Sequence, residues 1–250
     1  MRVQFVIVLM LMFFYQSLAQ QVVNVESRRY NLRDTSMQGN IQLNLEYFKN
    51  TNTYLNIGNT LDLMWKRNLN TYMVINEFNF LQSNTKSLNF NSYQHVRLKR
   101  DLNEWLCGEA FVQTQFNQQL GLNFRGLIGA GPRIRIVEKD SLKLYLGPMW
   151  MYEYENTIDA AKKNVHNRLS VYLSGTFYKT GQFGIDGVCY YQPDLINAAD
   201  FRLQSEMKLE FYFSQNLRFR FSISQNYQSN PPSQIPTQTT SIRNAFVYKF

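Results

Sequence analysis

From residue 37 onward, apolar and polar residues alternate along the chain with a period of two. A clear stretch is 217–224, which reads Leu-Arg-Phe-Arg-Phe-Ser-Ile-Ser. Successive side chains of a β-strand point to opposite faces, so the pattern predicts strands with one apolar and one polar face. It predicts twelve of them, the third and fourth least regular, over residues 37–49, 53–66, 70–82, 86–100, 104–116, 120–138, 141–156, 166–179, 182–192, 200–213, 216–228 and 239–250.

Alternation alone leaves open which face meets water. A soluble barrel, such as a lipocalin-like protein, hides its apolar face inside, whereas a membrane barrel turns it to lipid. Strands of globular proteins usually have about five or six residues, and a strand that crosses a bilayer at a tilt needs about 9–11. The predicted strands reach or exceed the second length, which favours a transmembrane antiparallel up-and-down β-barrel.

The predicted connections also differ in length in a regular way. The even-numbered ones are tight, for example 67–69 and 139–140, whereas the three longest, 157–165, 193–199 and 229–238, are all odd-numbered. Short periplasmic turns and longer extracellular loops are expected of an outer-membrane barrel with both termini in the periplasm.

Aromatic residues of the apolar face gather at the strand ends, as in the two aromatic girdles of membrane barrels. The predicted periplasmic ends carry Trp65, Tyr72, Trp105, Phe177, Phe183, Phe213 and Phe219, and the outer ends carry Tyr47, Phe80, Tyr152, Tyr154, Tyr191, Phe201 and Tyr227. The last strand ends on Phe250, with Tyr248, Phe246 and Ile242 on the same face. This ending resembles the C-terminal insertion signal of bacterial outer-membrane barrels, so we expect the barrel-assembly machinery to read it.

The N-terminus has the features of a secretory signal peptide. Arg2 precedes an apolar run of 11 residues, Phe5 to Tyr15, which is too short to cross a bilayer as a helix, and cleavage is predicted after Ala19. The alternative is a buried core helix. The predicted organisation is a signal peptide over 1–19, a periplasmic segment over 20–36 and the barrel over 37–250.

Charge and composition exclude several classes of protein. The net charge is +8, but no run of five or six like charges suggests a nucleic-acid-binding arm. The mean hydropathy of −0.36 is too low for a helical membrane protein. Cys107 and Cys189 fall on opposite faces and are predicted not to pair. His95 and His166 have no ligand spacing to either cysteine, so we expect no metal and no cofactor.

The polar face places many charged residues in the lumen, and two interpretations are open. They could form a network of paired charges that fills a narrow barrel, or they could line a water-filled pore with a mild preference for anions. A twelve-stranded barrel lies between the filled eight-stranded and the open sixteen-stranded kinds. The candidate lumen charges are Arg133, Arg135, Arg218, Arg220, Glu206 and Glu210.

Two further features of the sequence suggest chemistry only weakly. Glu153 and Glu155 are predicted at the outer mouth of the seventh strand, where a solvated rim is favoured over an acidic binding patch. A lipid hydrolase would need a serine beside His95 or His166, but Ser92 and Ser170 lie in no Gly-x-Ser-x-Gly turn. We therefore predict that the protein is not an enzyme.

The sixth and seventh strands resemble a known family. The segments 129–136, Gly-Ala-Gly-Pro-Arg-Ile-Arg-Ile, and 144–153, Leu-Tyr-Leu-Gly-Pro-Met-Trp-Met-Tyr-Glu, are similar to the core of the putative salt-induced outer-membrane protein family, and 168–170 is similar to its next strand. The resemblance implies an outer-membrane barrel without an established activity. Pro132 and Pro148 depart from the usual residues, and their glycine neighbours predict a bulge or bend.

Taken together, these features predict a monomeric barrel in the bacterial outer membrane, embedded in lipid and without nucleic-acid partners. Its function is predicted to be that of a small passive pore. The alternatives are a closed structural barrel whose surface loops bind a partner and, third, a lipid hydrolase.

Overall fold

The computed structural model describes residues 25–29, 35–49, 53–84, 86–118, 121–157, 164–179, 181–214, 217–231 and 235–248. The predicted signal peptide, residues 1–19, and the terminal Phe250 lie outside these residues. None of the helices in the described ranges is long and apolar enough to cross a membrane.

The fold is an all-β, up-and-down barrel made from one twelve-stranded antiparallel sheet, in which each strand pairs with its neighbours in sequence. The strands are β1 Met37–Lys49, β2 Thr53–Arg67, β3 Asn70–Ser83, β4 Lys86–Asp101, β5 Leu106–Asn117, β6 Leu122–Lys139, β7 Leu142–Thr157, β8 Asn164–Lys179, β9 Phe183–Pro193, β10 Phe201–Tyr212, β11 Leu217–Gln228 and β12 Gln238–Tyr248. All twelve predicted strands are confirmed, with bounds that differ from the predicted ones by two residues at most. The three longest connections, 158–163, 194–200 and 229–237, are odd-numbered, as predicted.

The apolar face of the sheet is the outer one. Val96 is 53% exposed on this face, whereas the next residue, Arg97, is buried on the lumen side. Leu173 is 46% exposed, whereas Arg168, five positions earlier on the same strand, is buried on the lumen side. A continuous apolar band around a polar interior is stable only in lipid, so the sheet spans a membrane. In the described part of the last strand, Ile242 and Phe246 are exposed on this outer face.

Aromatic rings at the strand ends contact one another across hairpins. The Trp65 and Tyr72 rings stack at 4.9 Å between centroids near the short turns. At the opposite end, Phe201 lies 5.8 Å from Tyr191 and 5.5 Å from Tyr227. These contacts form two aromatic bands at the levels where membrane barrels meet the lipid headgroups.

The first and last strands form the edges of the sheet. No pairing between β1 and β12 is recorded in the described residues, and both faces of β1 are exposed. Lipid offers no partner to an open edge, so residence in a bilayer requires these two strands to close on each other.

Pro132 and Pro148 face each other across the β6–β7 pair. Pairing is recorded up to Ala130 and Trp150 and again from Ile134 and Leu146, with the same register on both sides. Of the predicted bulge or bend, the bulge is absent at the prolines, because the register shifts only beyond them, between Arg135 and Val137. Proline has no backbone N–H to donate. Because the two prolines lie opposite each other, the hydrogen bonds that are lost all belong to this one residue pair.

The two cysteines lie on opposite faces of the wall, as their strand phases predict. Cys107 is buried on the lumen side, with its Sγ 3.0 Å from Asp101 Oδ1, and Cys189 is exposed on the outer side.

Candidate functional site

Residues 25–29, called the lumen segment below, lie inside the barrel. They contain a short 3-10 turn, Glu26–Arg28. Val25 is buried in an apolar cluster whose other members are Met64, Met73, Ile75 and Tyr93, on β2, β3 and β4. Apolar residues on the lumen face of β3 make its alternation irregular, and this was the one sign in the sequence that something packs inside.

Glu26 points from the lumen segment to the wall formed by β4–β8. Its carboxylate accepts hydrogen bonds from Arg133 Nη1 at 2.5 Å, Arg97 Nη1 at 3.4 Å and Ser174 Oγ at 3.4 Å. Burial alone would raise the pKa of Glu26, but Arg29, Arg133 and Arg97 outweigh it and hold the pKa well below its usual range. The carboxylate is therefore charged.

Arg28 points the other way, to the wall formed by β2 and β3. Its guanidinium donates to Asp62 Oδ1 at 2.8 Å and to Glu77 Oε1. The lumen segment thus connects two walls of the barrel through opposite charges.

Glu109 on β5 is the second anion of this cluster. It accepts hydrogen bonds from Arg29 at 2.7 Å, Arg97 at 3.1 Å and the Tyr172 hydroxyl at 3.1 Å. The same Tyr172 hydroxyl accepts from Arg133 Nη1 at 2.8 Å. Two carboxylates and three guanidinium groups therefore form one connected network in the middle of the lumen.

A second network lies nearer the end with the longer connections. Glu153 on β7 is fully buried and contacts Arg125 at 3.0 Å, Arg168 at 2.9 Å and Arg202 at 2.7 Å. Glu155 binds Arg125 at 2.9 Å and Arg202 at 2.8 Å.

Arg202 lies on β10, three strands away from Glu153 and Glu155, so its side chain crosses part of the lumen. The predicted solvated rim at Glu153 and Glu155 is wrong. Inward curvature of the wall brings arginines from three other strands onto the two carboxylates.

The free space of the lumen is unevenly divided. A cavity of about 880 Å³ opens at the end with the short turns, and among its lining residues are Glu26, Arg29, Arg133 and Ser174. We call it the vestibule. Between the two networks, a cavity of only about 40 Å³ remains.

The six candidate lumen charges fall into three places. Arg133 belongs to the network around Glu26, and Arg135 binds Asp101 at 2.5 Å at the rim of the vestibule. Glu206 also lines the vestibule and contacts Lys208 at 3.2 Å.

The other three candidates form a half-exposed cluster on β10 and β11. Glu210 lies 2.6 Å from Arg220 and 3.4 Å from Arg218. The structure does not bring this cluster into contact with Arg133. The sequence prediction missed Glu26, Arg28 and Arg29, which lie outside every strand.

Neither histidine bonds a serine in the described residues. His95 lies between Gln113 and Arg97, while the Ser92 hydroxyl accepts from Gln94. The Ser170 hydroxyl accepts from Gln192. The part of the chain that the structure describes also holds no group of three or more His, Cys, Asp or Glu side chains placed to hold a metal ion.

His166 instead helps to fix the loop 194–200. Its Nδ1 is 2.7 Å from Asp194 Oδ2, and Asp194 Oδ1 accepts from the backbone N–H groups of Ile196 and Asn197 at 2.7 and 3.1 Å. Burial alone would raise the pKa of Asp194, but these backbone N–H groups and His166 outweigh it and hold the pKa below its usual range.

This loop is expected to loosen in acid. Because the folded pKa of Asp194 is lowered, its carboxylate stabilises the loop above its ordinary pKa of about 3.9, and the stabilisation is lost as the pH falls through the folded value. Amide hydrogen exchange should show protection factors at Ile196 and Asn197 that decrease below about pH 4. The control is the Gln182 amide, which donates to Lys179 O at 3.0 Å in a short turn. A parallel decrease there would contradict the assignment to Asp194.

Comparison with solved structures finds porins of low sequence identity. One, described as "NanC porin structure in rhombohedral crystal form", has 10% identity and a TM-score of 0.49, with 84% of this chain and 100% of that chain covered. Another, "KdgM porin", has 11% identity and a TM-score of 0.40, with 82% of this chain and 98% of that chain covered. No curated protein matches the chain.

A family model matches most of the barrel. The match covers residues 49–250, from the end of β1 onward, and includes the second network and every wall residue that holds the lumen segment. The lumen segment itself precedes it. The chain therefore belongs to the family described as "Protein of unknown function, DUF481".

Proposed function

We propose that the protein is a small pore of the bacterial outer membrane whose lumen is held closed by its own N-terminal segment. The observation that carries this proposal is the pair of oppositely directed contacts made by the lumen segment, Glu26 to Arg133 and Arg28 to Asp62. A segment that packs against only one wall would have no reason to carry opposite charges at the two ends of a single 3-10 turn. Its ionic contacts on both sides are with groups that water or a solute can also bind, and release of Val25 from its apolar cluster is the part of the exchange that exposes apolar surface.

The proposal accounts for the division of the lumen. The vestibule on the side of the short turns is wide enough for solutes of several heavy atoms, and it ends at Glu26 and Arg29. Excess basic charge in the chain supports a mild preference for anions, for which Arg218 and Arg220 at the half-exposed cluster are candidates. The proposal also includes a vestibule on the periplasmic side, a monomeric state and delivery by the barrel-assembly machinery.

The closed structural barrel is the second candidate, and the second network favours it. Arg125, Arg168 and Arg202 are buried on Glu153 and Glu155, and a network of that kind could seal the lumen permanently. The two candidates differ in what happens when the lumen segment is released.

Single-channel recording in a planar bilayer distinguishes them. The mature protein should show rare openings, and the triple variant Glu26→Ala/Arg28→Ala/Arg29→Ala should spend at least several-fold more time open, because the ionic contacts of the segment are gone. The control is Glu104→Ala, an exposed acid of the β4–β5 turn, which should behave as the parent. A triple variant that inserts and stays silent would favour the closed barrel.

A further inference from the structure

The wall site that Glu26 occupies has the composition of a receptor for a carboxylate. Glu26 is not part of the wall, since it lies 11 residues before the first residue of β1. The wall supplies Arg97, Arg133 and Ser174, each of which donates to the Glu26 carboxylate. A side chain from a separate segment thus takes the place that a solute would take.

The part of the wall that contacts Glu26 carries an excess of one positive charge without the segment. It holds two guanidinium groups, of Arg97 and Arg133, and one carboxylate, that of Glu109, and with the segment in place these side chains are 5%, 7% and 0% exposed. The carboxylates that pair with Arg28, Asp62 and Glu77, lie on the other wall. An unpaired buried charge is costly, and one monovalent anion would neutralise it.

The two arginines are held in place by the wall itself. Arg133 lies over the Tyr145 ring at 4.0 Å and donates to the Tyr172 hydroxyl. Arg97 donates to His95 Nε2 at 3.2 Å and lies over the Phe111 ring at 5.2 Å. These contacts do not involve the lumen segment, so the site keeps its shape when the segment leaves, and little ordering is needed on binding.

The chemistry of the site selects carboxylates. Arg97 Nη1 and Arg133 Nη1 donate to different oxygens of the Glu26 carboxylate, so the two guanidinium groups together match its two oxygens, and the Ser174 hydroxyl adds a third donor. The vestibule gives access, because it is lined by Glu26, Arg133 and Ser174 themselves.

We infer that Arg97, Arg133 and Ser174 form a binding site for small carboxylate solutes, and that a bound solute replaces Glu26 and thereby releases the lumen segment. This inference rests on the proposed pore function. The solute acts both as cargo and as the signal for opening, since it competes for the contacts that hold the segment.

Competition with Glu26 sets the affinity. A tethered carboxylate has an effective concentration in the millimolar range, so an external carboxylate binds the parent protein weakly. Removing the Glu26 side chain removes the competitor and leaves the wall donors intact. Carboxylate binding to Glu26→Ala should therefore be at least about tenfold tighter than to the parent.

Isothermal titration of the full mature chain in detergent micelles tests this, with gluconate as the probe and glucose as its uncharged counterpart. We expect gluconate to bind Glu26→Ala at least about tenfold more tightly than the parent, Glu26→Asp to bind like the parent, and glucose to bind none of them. Arg133→Gln in the Glu26→Ala background removes the positive charge that faces the carboxylate, and should return gluconate to weak binding. Gluconate binding that is equal in the parent and Glu26→Ala would overturn the proposal.

Chloride separates carboxylate recognition from general anion binding. An equal gain in chloride affinity in Glu26→Ala would overturn the carboxylate assignment. Because Glu26 is not in the wall, its substitution leaves the barrel contacts in place, and the heat-dependent gel mobility of folded barrels verifies each variant. Titration does not need conduction. If gluconate binds Glu26→Ala tightly but the triple variant does not conduct, the carboxylate site is supported and the pore function is contradicted. If the triple variant conducts but gluconate does not bind Glu26→Ala more tightly, the pore function is supported and the carboxylate site is contradicted.

Discussion

Replacing Glu153 by alanine is expected to cost the barrel about 3–5 kcal/mol of unfolding free energy, the usual result of removing one partner of a buried ion pair. Glu153 is fully buried and contacts Arg125, Arg168 and Arg202. Its removal leaves three buried guanidinium groups to share the carboxylates of Glu155 and Asp200.

Urea unfolding of the protein in lipid vesicles measures this loss, with Glu138→Ala as the matched control. Glu138 is 41% exposed and makes one ion pair, with Arg135 at 3.3 Å, so its removal should cost about 0–1 kcal/mol. Glu153→Gln keeps the volume and one acceptor oxygen and should lie between the two. If Glu153→Ala loses no more than Glu138→Ala, the second network is not a closed, dry one.

Adding a methyl group at Gly147 is the second substitution with a large expected effect. A Cβ at this buried position of β7 would lie well inside van der Waals contact with the Tyr172 ring and 2.7 Å from its hydroxyl oxygen. The ring cannot move freely, because that hydroxyl bonds both Arg133 and Glu109. Overpacking of this kind costs about 1–3 kcal/mol, and displacing the network adds to it.

The matched control is Gly187→Ala on β9, where the nearest atom to the added Cβ is Glu206 O at 3.9 Å. That variant should be as stable as the parent or more so, since glycine in a strand costs about 0.5–1 kcal/mol relative to alanine. Gly147→Ala should cost less in the Tyr172→Ala background than in the parent, and a double-mutant cycle of unfolding free energies measures the coupling. Additive effects of the two substitutions would show that the ring is not the obstacle.

The strands of this protein were predictable because their determinants are local. The alternation of outward and inward side chains can be seen within a single strand, as in 217–224. The length needed to cross a bilayer is likewise a property of each strand by itself. The contact of Glu153 with Arg168 also follows from the sequence in part, since the two lie diagonally across adjacent strands that a hairpin aligns.

The contacts within the lumen were decided by the curvature of the sheet. Arg202 reaches Glu153 over three strands, and Arg133 binds a carboxylate 107 residues earlier in the chain. Alternation places all of the strand side chains among these on the polar face. It cannot distinguish a carboxylate that is exposed at the rim from one that is buried in the lumen, because both lie on the same face of a strand. Only the tertiary structure brings Glu26 into the lumen, because its position depends on the complementary charge of two distant walls and on an apolar socket for Val25, neither of which is encoded near residue 26.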